Sequence, residues 1–143
     1  MNDYNAAFFG LYENVFNTAI GRYGLDETIS LFSELMERGL SKSYGNDFKK
    51  GEISSFTKIV GQRDNNVGLK VSFVTVSDDE FVYRFHDDPF PNLKGKVEPK
   101  LLDSTYIPFK IRYILGEYWG YKTTKHLWND DEYTEHVITR KKA

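Results

Sequence analysis

The hydrophobic pattern of this chain alternates between two periods, and that alternation limits the fold more than any other feature. Phe8, Tyr12, Val15, Phe16, Ala19 and Tyr23 recur at helical spacing, the stripe of an amphipathic helix. Gly24 is placed to end that helix and Asp26 to cap the next one, which carries Ile29, Phe32, Leu35 and Met36 and closes near Gly39. So short a joint predicts a helical hairpin. Residues 41–51 read as a connecting loop. Ile53, Phe56, Ile59 and Val60 then mark a short third helix with Gly61 closing it, followed by a polar turn from Gln62 to Asn66.

The period next falls to two. Val67, Leu69, Val71 and Phe73 alternate with Gly68, Lys70 and Ser72, as in a strand buried on one face. Ser77 to Glu80 is a turn, and Phe81, Tyr83 and Phe85 alternate on the return strand. Pro89 and Pro91 break the sheet, and 93–105 reads as a loop. Pro108 sits where a first-turn proline belongs, in a helix marked by Ile107, Ile111, Ile114, Leu115 and Tyr118 that stops between Gly116 and Gly120. A second hairpin runs from Tyr121 to Trp128, turns through Asn129-Asp130-Asp131, and returns from Glu132 to Arg140. The order α-α-α-β-β-α-β-β predicts an α+β fold in one domain spanning 1–143. Two hairpins join into one antiparallel sheet with helices on one face.

Composition narrows the chemistry. Nineteen basic against 21 acidic residues leave a net charge of -2, so no broad polyanion-binding surface is expected and no nucleic-acid partner. Cysteine is absent. That excludes disulfides, a thiol nucleophile and cysteine-ligated metal. No window approaches a membrane span. The opening Met1-Asn2-Asp3-Tyr4 lacks the basic region and apolar run of a signal peptide, which sets a cytoplasmic expectation. Neither a phosphate-binding glycine loop nor a dinucleotide fingerprint occurs, so no cofactor is expected.

Two sets of residues are candidates for a site. If Asp130-Asp131 centres the last turn, His126 faces Glu135 across the strands and Lys125 faces His136. A carboxylate beside an imidazole can prepare an acid/base group. The same register puts His126 and His136 on opposite faces, so a two-histidine metal site is not expected. His86-Asp87-Asp88 precedes a proline and reads as turn chemistry. The second set is aromatic. Phe, Tyr and Trp make up 16% of the chain, each such side chain burying roughly 150–250 Å². Tyr83 and Phe85 on the first hairpin, with Tyr113, Tyr118 and Trp119 at the last helix and its exit, are placed to line an apolar pocket with a few polar tips.

Phe8-Phe9-x-Leu11-Tyr12, the run Arg22 to Thr28, the helix Ile29 to Leu40, the segment Ile107 to Trp119 and the hairpin ending Trp128 to Val137 together resemble two related groups. These are the L-2-amino-thiazoline-4-carboxylic-acid-hydrolase-like proteins and the 4-vinyl-reductase-type, hydrocarbon-binding ligand-binding domains. The resemblance implies an α+β fold, often dimeric, with a cavity between helices and sheet for a small or greasy molecule. Those groups commonly carry cysteine in the last hairpin, where this chain has Tyr133, Thr134 and Glu135. No catalytic residue is carried over. The reading that follows is a non-enzymatic small-molecule-binding domain, a sensor or carrier, using Tyr83, Phe85, Tyr113, Tyr118 and Trp119. One alternative is a hydrolase with His126 as base and Glu135 as its orienter. The other is a dimeric interaction module whose aromatic face is the contact surface.

Overall fold

The protein's structure, a computed structural model, describes residues 6–141. The opening Met1 to Tyr4 and the last two residues of the basic tail lie outside the described residues. Helix α1 (Ala6–Tyr23) and helix α2 (Leu25–Tyr44) form the expected hairpin. Gly24 is its hinge: a φ of 84° is open to glycine at little cost. Gly24 also occupies the N-cap position of α2. Asp26 therefore lies inside the first turn, where the helix dipole favours a carboxylate, and does not cap the helix as expected. The Thr28 hydroxyl, fully buried, donates back to the Gly24 carbonyl at 2.7 Å.

The buried stripe of α1 is Phe9, Tyr12, Phe16 and Ala19. Phe8, Val15 and Tyr23, counted on that stripe from spacing alone, are exposed, because the apolar face is wider than the part its partner covers. Helix α3 (Ile53–Asn66) continues one further turn past Gly61. Gly61 is a contact glycine rather than a stop, since a Cβ there would lie 3.0 Å from the Phe73 ring. The turn that follows contains Gly68 (φ 90°) and Lys70 (φ 52°). It is pinned by the Asn65 side chain, whose Oδ1 accepts the Val71 N–H at 2.9 Å. Strand β1 thus starts at Val71, not Val67.

The strands are β1 (Val71–Ser77), β2 (Glu80–Phe85), β3 (Trp119–Lys125) and β4 (Thr134–Arg140), with α4 (Pro99–Asp103) and α5 (Ile107–Ile114) between the hairpins. They make one antiparallel sheet in the order β1-β2-β4-β3. This is the α+β arrangement expected. The stretch 93–105 is less of a loop than its sequence suggests, since it holds α4, while α5 ends before Leu115 rather than reaching Tyr118. No helix among the described residues is long and apolar enough to cross a membrane.

Two apolar clusters hold the fold. The first lies between the sheet and helices α3 and α5, around Phe56, Phe81, Tyr83, Ile107, Ile114 and Ile138. The second joins the α1–α2 hairpin to the 90–102 segment, around Phe9, Tyr12, Phe16, Phe32, Phe90 and Leu93. Met36 and Leu69 touch both. Burying side chains of this size contributes roughly 1.5–3 kcal/mol each. The two clusters do not close on one another completely, and the gap between them is the cleft described next.

Candidate functional site

A cleft of about 430 Å³ opens between α1 and α2 on one side and the end of α3, the end of β2 and α5 on the other. Its exposed lining residues, Phe8, Leu35, Gly39, Ser43 and Val67, mark the mouth. Phe9, Tyr12, Phe32, Phe85 and Phe90 form buried walls, with Tyr106, Asp64 and Lys110 at the floor. Aromatic packing holds the walls: Tyr12 stacks on Phe90 with ring centres 4.4 Å apart, and Phe32 meets Tyr12 edge-on at 4.9 Å. Apolar concavity with a few fixed polar groups is the usual form of a small-molecule site.

The floor is charged. Lys110 and Asp64 are 2% and 4% exposed. The Lys110 ammonium lies 3.2 and 3.1 Å from the two Asp64 oxygens and donates to the Tyr83 hydroxyl at 3.0 Å. The Tyr83 hydroxyl in turn donates to Asp64 Oδ2. Each member is satisfied, which is the condition under which a buried ion pair is tolerated. The rings of Tyr106, Tyr83 and Phe85 surround the ammonium at 5.2–5.7 Å, within cation–π range. Burial first, and the neighbouring Asp64 charge second, hold the Tyr83 hydroxyl well above its ordinary value. Tyr83 therefore remains a donor.

A second buried polar cluster lies behind Tyr106. The Tyr106 hydroxyl donates to Asp103 Oδ1 at 3.2 Å, and burial followed by the Asp103 charge raises it well above its usual range. His126 Nε2 stands 3.4 Å from Asp103 Oδ2, which accepts no hydrogen bond. His126 Nδ1 accepts the Trp128 N–H at 3.1 Å, which assigns the ring proton to Nε2. His136 is fully buried among the rings of Tyr83, Phe85 and Tyr121. Its Nδ1 meets the Thr123 hydroxyl at 2.9 Å and its Nε2 has no partner. Burial pushes the His136 imidazole down to about 4, against a smaller opposing pull from Asp103.

The expected His126–Glu135 pair does not form. The strands pair Thr123 with His136, two residues off the expected register, and a slip between Thr123 and Lys125 then puts Glu135 opposite Lys125. The extra residue in β3 turns His126 inward to Asp103. Glu135 faces the uncovered side of the sheet, accepts from Arg84 at 2.9 Å and from Thr124 at 2.7 Å, and is held below the usual carboxylate range by Thr124 first and Arg84 next.

The five expected aromatic residues are dispersed. Phe85 lines the cleft and Tyr83 supports its floor from beneath. Tyr113 lies among Tyr44, Phe48 and Phe109 and donates to the Gly45 carbonyl. Trp119 is a core residue against Phe81 and Arg140. Tyr118 is 69% exposed. Tyr113, Tyr118 and Trp119 are therefore not among the residues lining the cleft, because α5 turns its apolar face to the sheet and ends early.

Asp64 and Lys110 escaped the pattern reading. Asp64 falls on the stripe Phe56-Val60-Asp64, and Lys110 on the stripe Ile107-Lys110-Ile111-Ile114. A charged residue at a core position of each of two helices was the available signal, and reading Gly61 as a stop concealed half of it.

Among the described residues no group of three or more His, Asp or Glu side chains could hold a metal ion. No protein-family model and no curated protein matches the chain.

Proposed function

We propose that this protein is a binding domain for a small lipophilic molecule, which it takes into the cleft between the α1–α2 hairpin and α5. The observation that carries the reading is the cleft itself: about 430 Å³, walled by aromatic and aliphatic side chains and floored by a satisfied Lys110–Asp64–Tyr83 triad. Affinity arises from apolar surface removed from water, at roughly 25 cal/mol per Å². The triad keeps the floor polar and rigid, since each of its groups is already fixed by the other two. Orientation then comes from whichever polar group at the wall retains a free donor.

The test is fluorescence of the neutral probe N-phenyl-1-naphthylamine with the full chain. A saturable rise in emission with micromolar affinity is expected. Gly39 lines the cleft, and a Cβ built there meets nothing within 4 Å, so Gly39→Trp projects a ring into the mouth without straining the helix. That variant is expected to retain its far-UV circular dichroism and lose at least tenfold in probe affinity. No saturable binding by the wild type, or unchanged binding in Gly39→Trp, overturns the reading.

A further inference from the structure

The charges around the cleft do not cancel. Two cations, Arg63 and Lys110, line it against one carboxylate, Asp64. Lys110 is committed to Asp64 and Tyr83 by all three of its short contacts, so the floor pair is internally neutral. The surplus belongs to Arg63. This half-buried side chain donates from Nε to the Ser43 carbonyl at 3.0 Å, and among the described residues it has no carboxylate partner. Its two terminal nitrogens thus retain the fork that matches a planar carboxylate. A second unspent group lies in the same region. The Tyr44 hydroxyl is buried without a hydrogen-bond partner and feels both Asp64 and Arg63.

A purely neutral lipophile seated here covers Arg63 and strips it of water with nothing in return, a penalty that favours a ligand bringing its own anion. The tail size follows from volume. At about 30 Å³ per water-sized unit, the cleft holds about 14 heavy atoms, the size of a twelve-carbon acid.

We propose that the ligand of this cleft is a monoanionic amphiphile, a medium-chain carboxylic acid, with its tail between Phe9, Phe32, Phe85 and Phe90 and its carboxylate on the Arg63 guanidinium. This rests on the lipophile-binding reading above and narrows it to one chemical class.

Competition against bound N-phenyl-1-naphthylamine separates the two claims. Dodecanoate and dodecan-1-ol, both kept below their aggregation limits, are titrated into the wild type, Arg63→Gln and Arg63→Lys. In the wild type, dodecanoate is expected to displace the probe at least tenfold more tightly than the alcohol, since a charge-assisted hydrogen bond is roughly twice as strong as a neutral one. In Arg63→Gln that preference falls to parity, and the alcohol and the probe, which no longer cover an unpaired guanidinium, bind more tightly than in the wild type. Arg63→Lys keeps the charge and loses the fork, so an intermediate preference is expected. Equal displacement by acid and alcohol in the wild type, or a preference that survives in Arg63→Gln, overturns the carboxylate assignment and leaves the lipophile site standing. Failure of both compounds to displace the probe, or of the probe to bind, removes the site and the assignment with it.

Discussion

Two polar clusters are buried where the helices meet the sheet of this molecule, and they are completed differently. Asp64, Tyr83 and Lys110 bond to one another in a closed set at the cleft floor. Asp103, His126 and His136, on the far side of Tyr106, leave Asp103 Oδ2 and His136 Nε2 with no hydrogen-bond partner. The first set carries formal charge and neutralises it internally. The second limits its charge, with His136 pushed down to about 4 and so uncharged at neutral pH. The difference teaches that burial alone does not decide the energetics of a polar group. The number of its partners decides whether removing a neighbour, or adding a proton, is the more costly disturbance.

The closed set is therefore the one most sensitive to mutation. Lys110→Met leaves the Asp64 carboxylate buried with only the Tyr83 hydroxyl. Breaking a buried pair from one side costs about 3–5 kcal/mol, and chemical denaturation is expected to show a loss of that size. Replacing the whole set, in Asp64→Leu/Lys110→Met/Tyr83→Phe, is expected to recover most of it, because a packed apolar triad carries no stranded charge. A Lys110→Met cost below about 1 kcal/mol means that water reaches the floor and the contrast between the clusters fails.

The open set is the one most sensitive to acid. His136 has a folded value of about 4 against an ordinary value of 6.5. Below pH 6.5 the unfolded chain takes up a proton that the folded chain refuses. The stabilisation is thus complete above pH 6.5, falls as the pH drops towards 4, and levels off below it. A window this wide corresponds to about 3 kcal/mol. His136→Phe, placed among the rings of Tyr83, Phe85 and Tyr121, is expected to flatten the slope of stability between pH 6.5 and 4 by that amount. An unaltered slope shifts the acid sensitivity to the carboxylates and away from this cluster.

The legibility of these features in the sequence was uneven, for physical reasons. Period and punctuation marked both hairpins, the α1–α2 pair and the α+β layering, because each of those elements buries one face and the pattern records it. The clusters were harder to see. Asp64 and Lys110 interrupt apolar stripes on helices distant in sequence, and only their meeting across the core explains why each is tolerated. The His126–Glu135 expectation rested on a turn centred at Asp130-Asp131, but the strands pair Trp119 with Arg140 through Thr123 with His136, two residues off that register, and the extra residue between Thr123 and Lys125 recovers only one of the two. A one-residue slip moves every following side chain to the other face, and nothing in the local sequence Thr123-Thr124-Lys125 announces it.

Within the closed set, Tyr83→Phe is a finer probe. It removes one donor to Asp64 and one acceptor for Lys110 but leaves the ion pair and the ring packing in place. A loss of about 1–2 kcal/mol is expected from the deleted hydrogen bond, smaller than for Lys110→Met. If the two variants cost the same, the hydroxyl rather than the ion pair is the keystone of the floor.

The smallest effect belongs to the residue once expected to orient a catalytic base. Glu135 and Arg84 form a partly exposed pair, with side chains 13% and 29% accessible, on the sheet face that no helix covers. Thr124 is a further donor to the same carboxylate, and water can replace either partner. Glu135→Gln is expected to cost less than about 1 kcal/mol, and to lose even that at 1 M salt, where screening acts within about 3 Å. It is also expected to leave N-phenyl-1-naphthylamine affinity unchanged, since neither Glu135 nor Arg84 lines the cleft. A shift in probe affinity would couple the open face of the sheet to the helical layer. Its absence confines ligand binding to the side where the two apolar clusters meet.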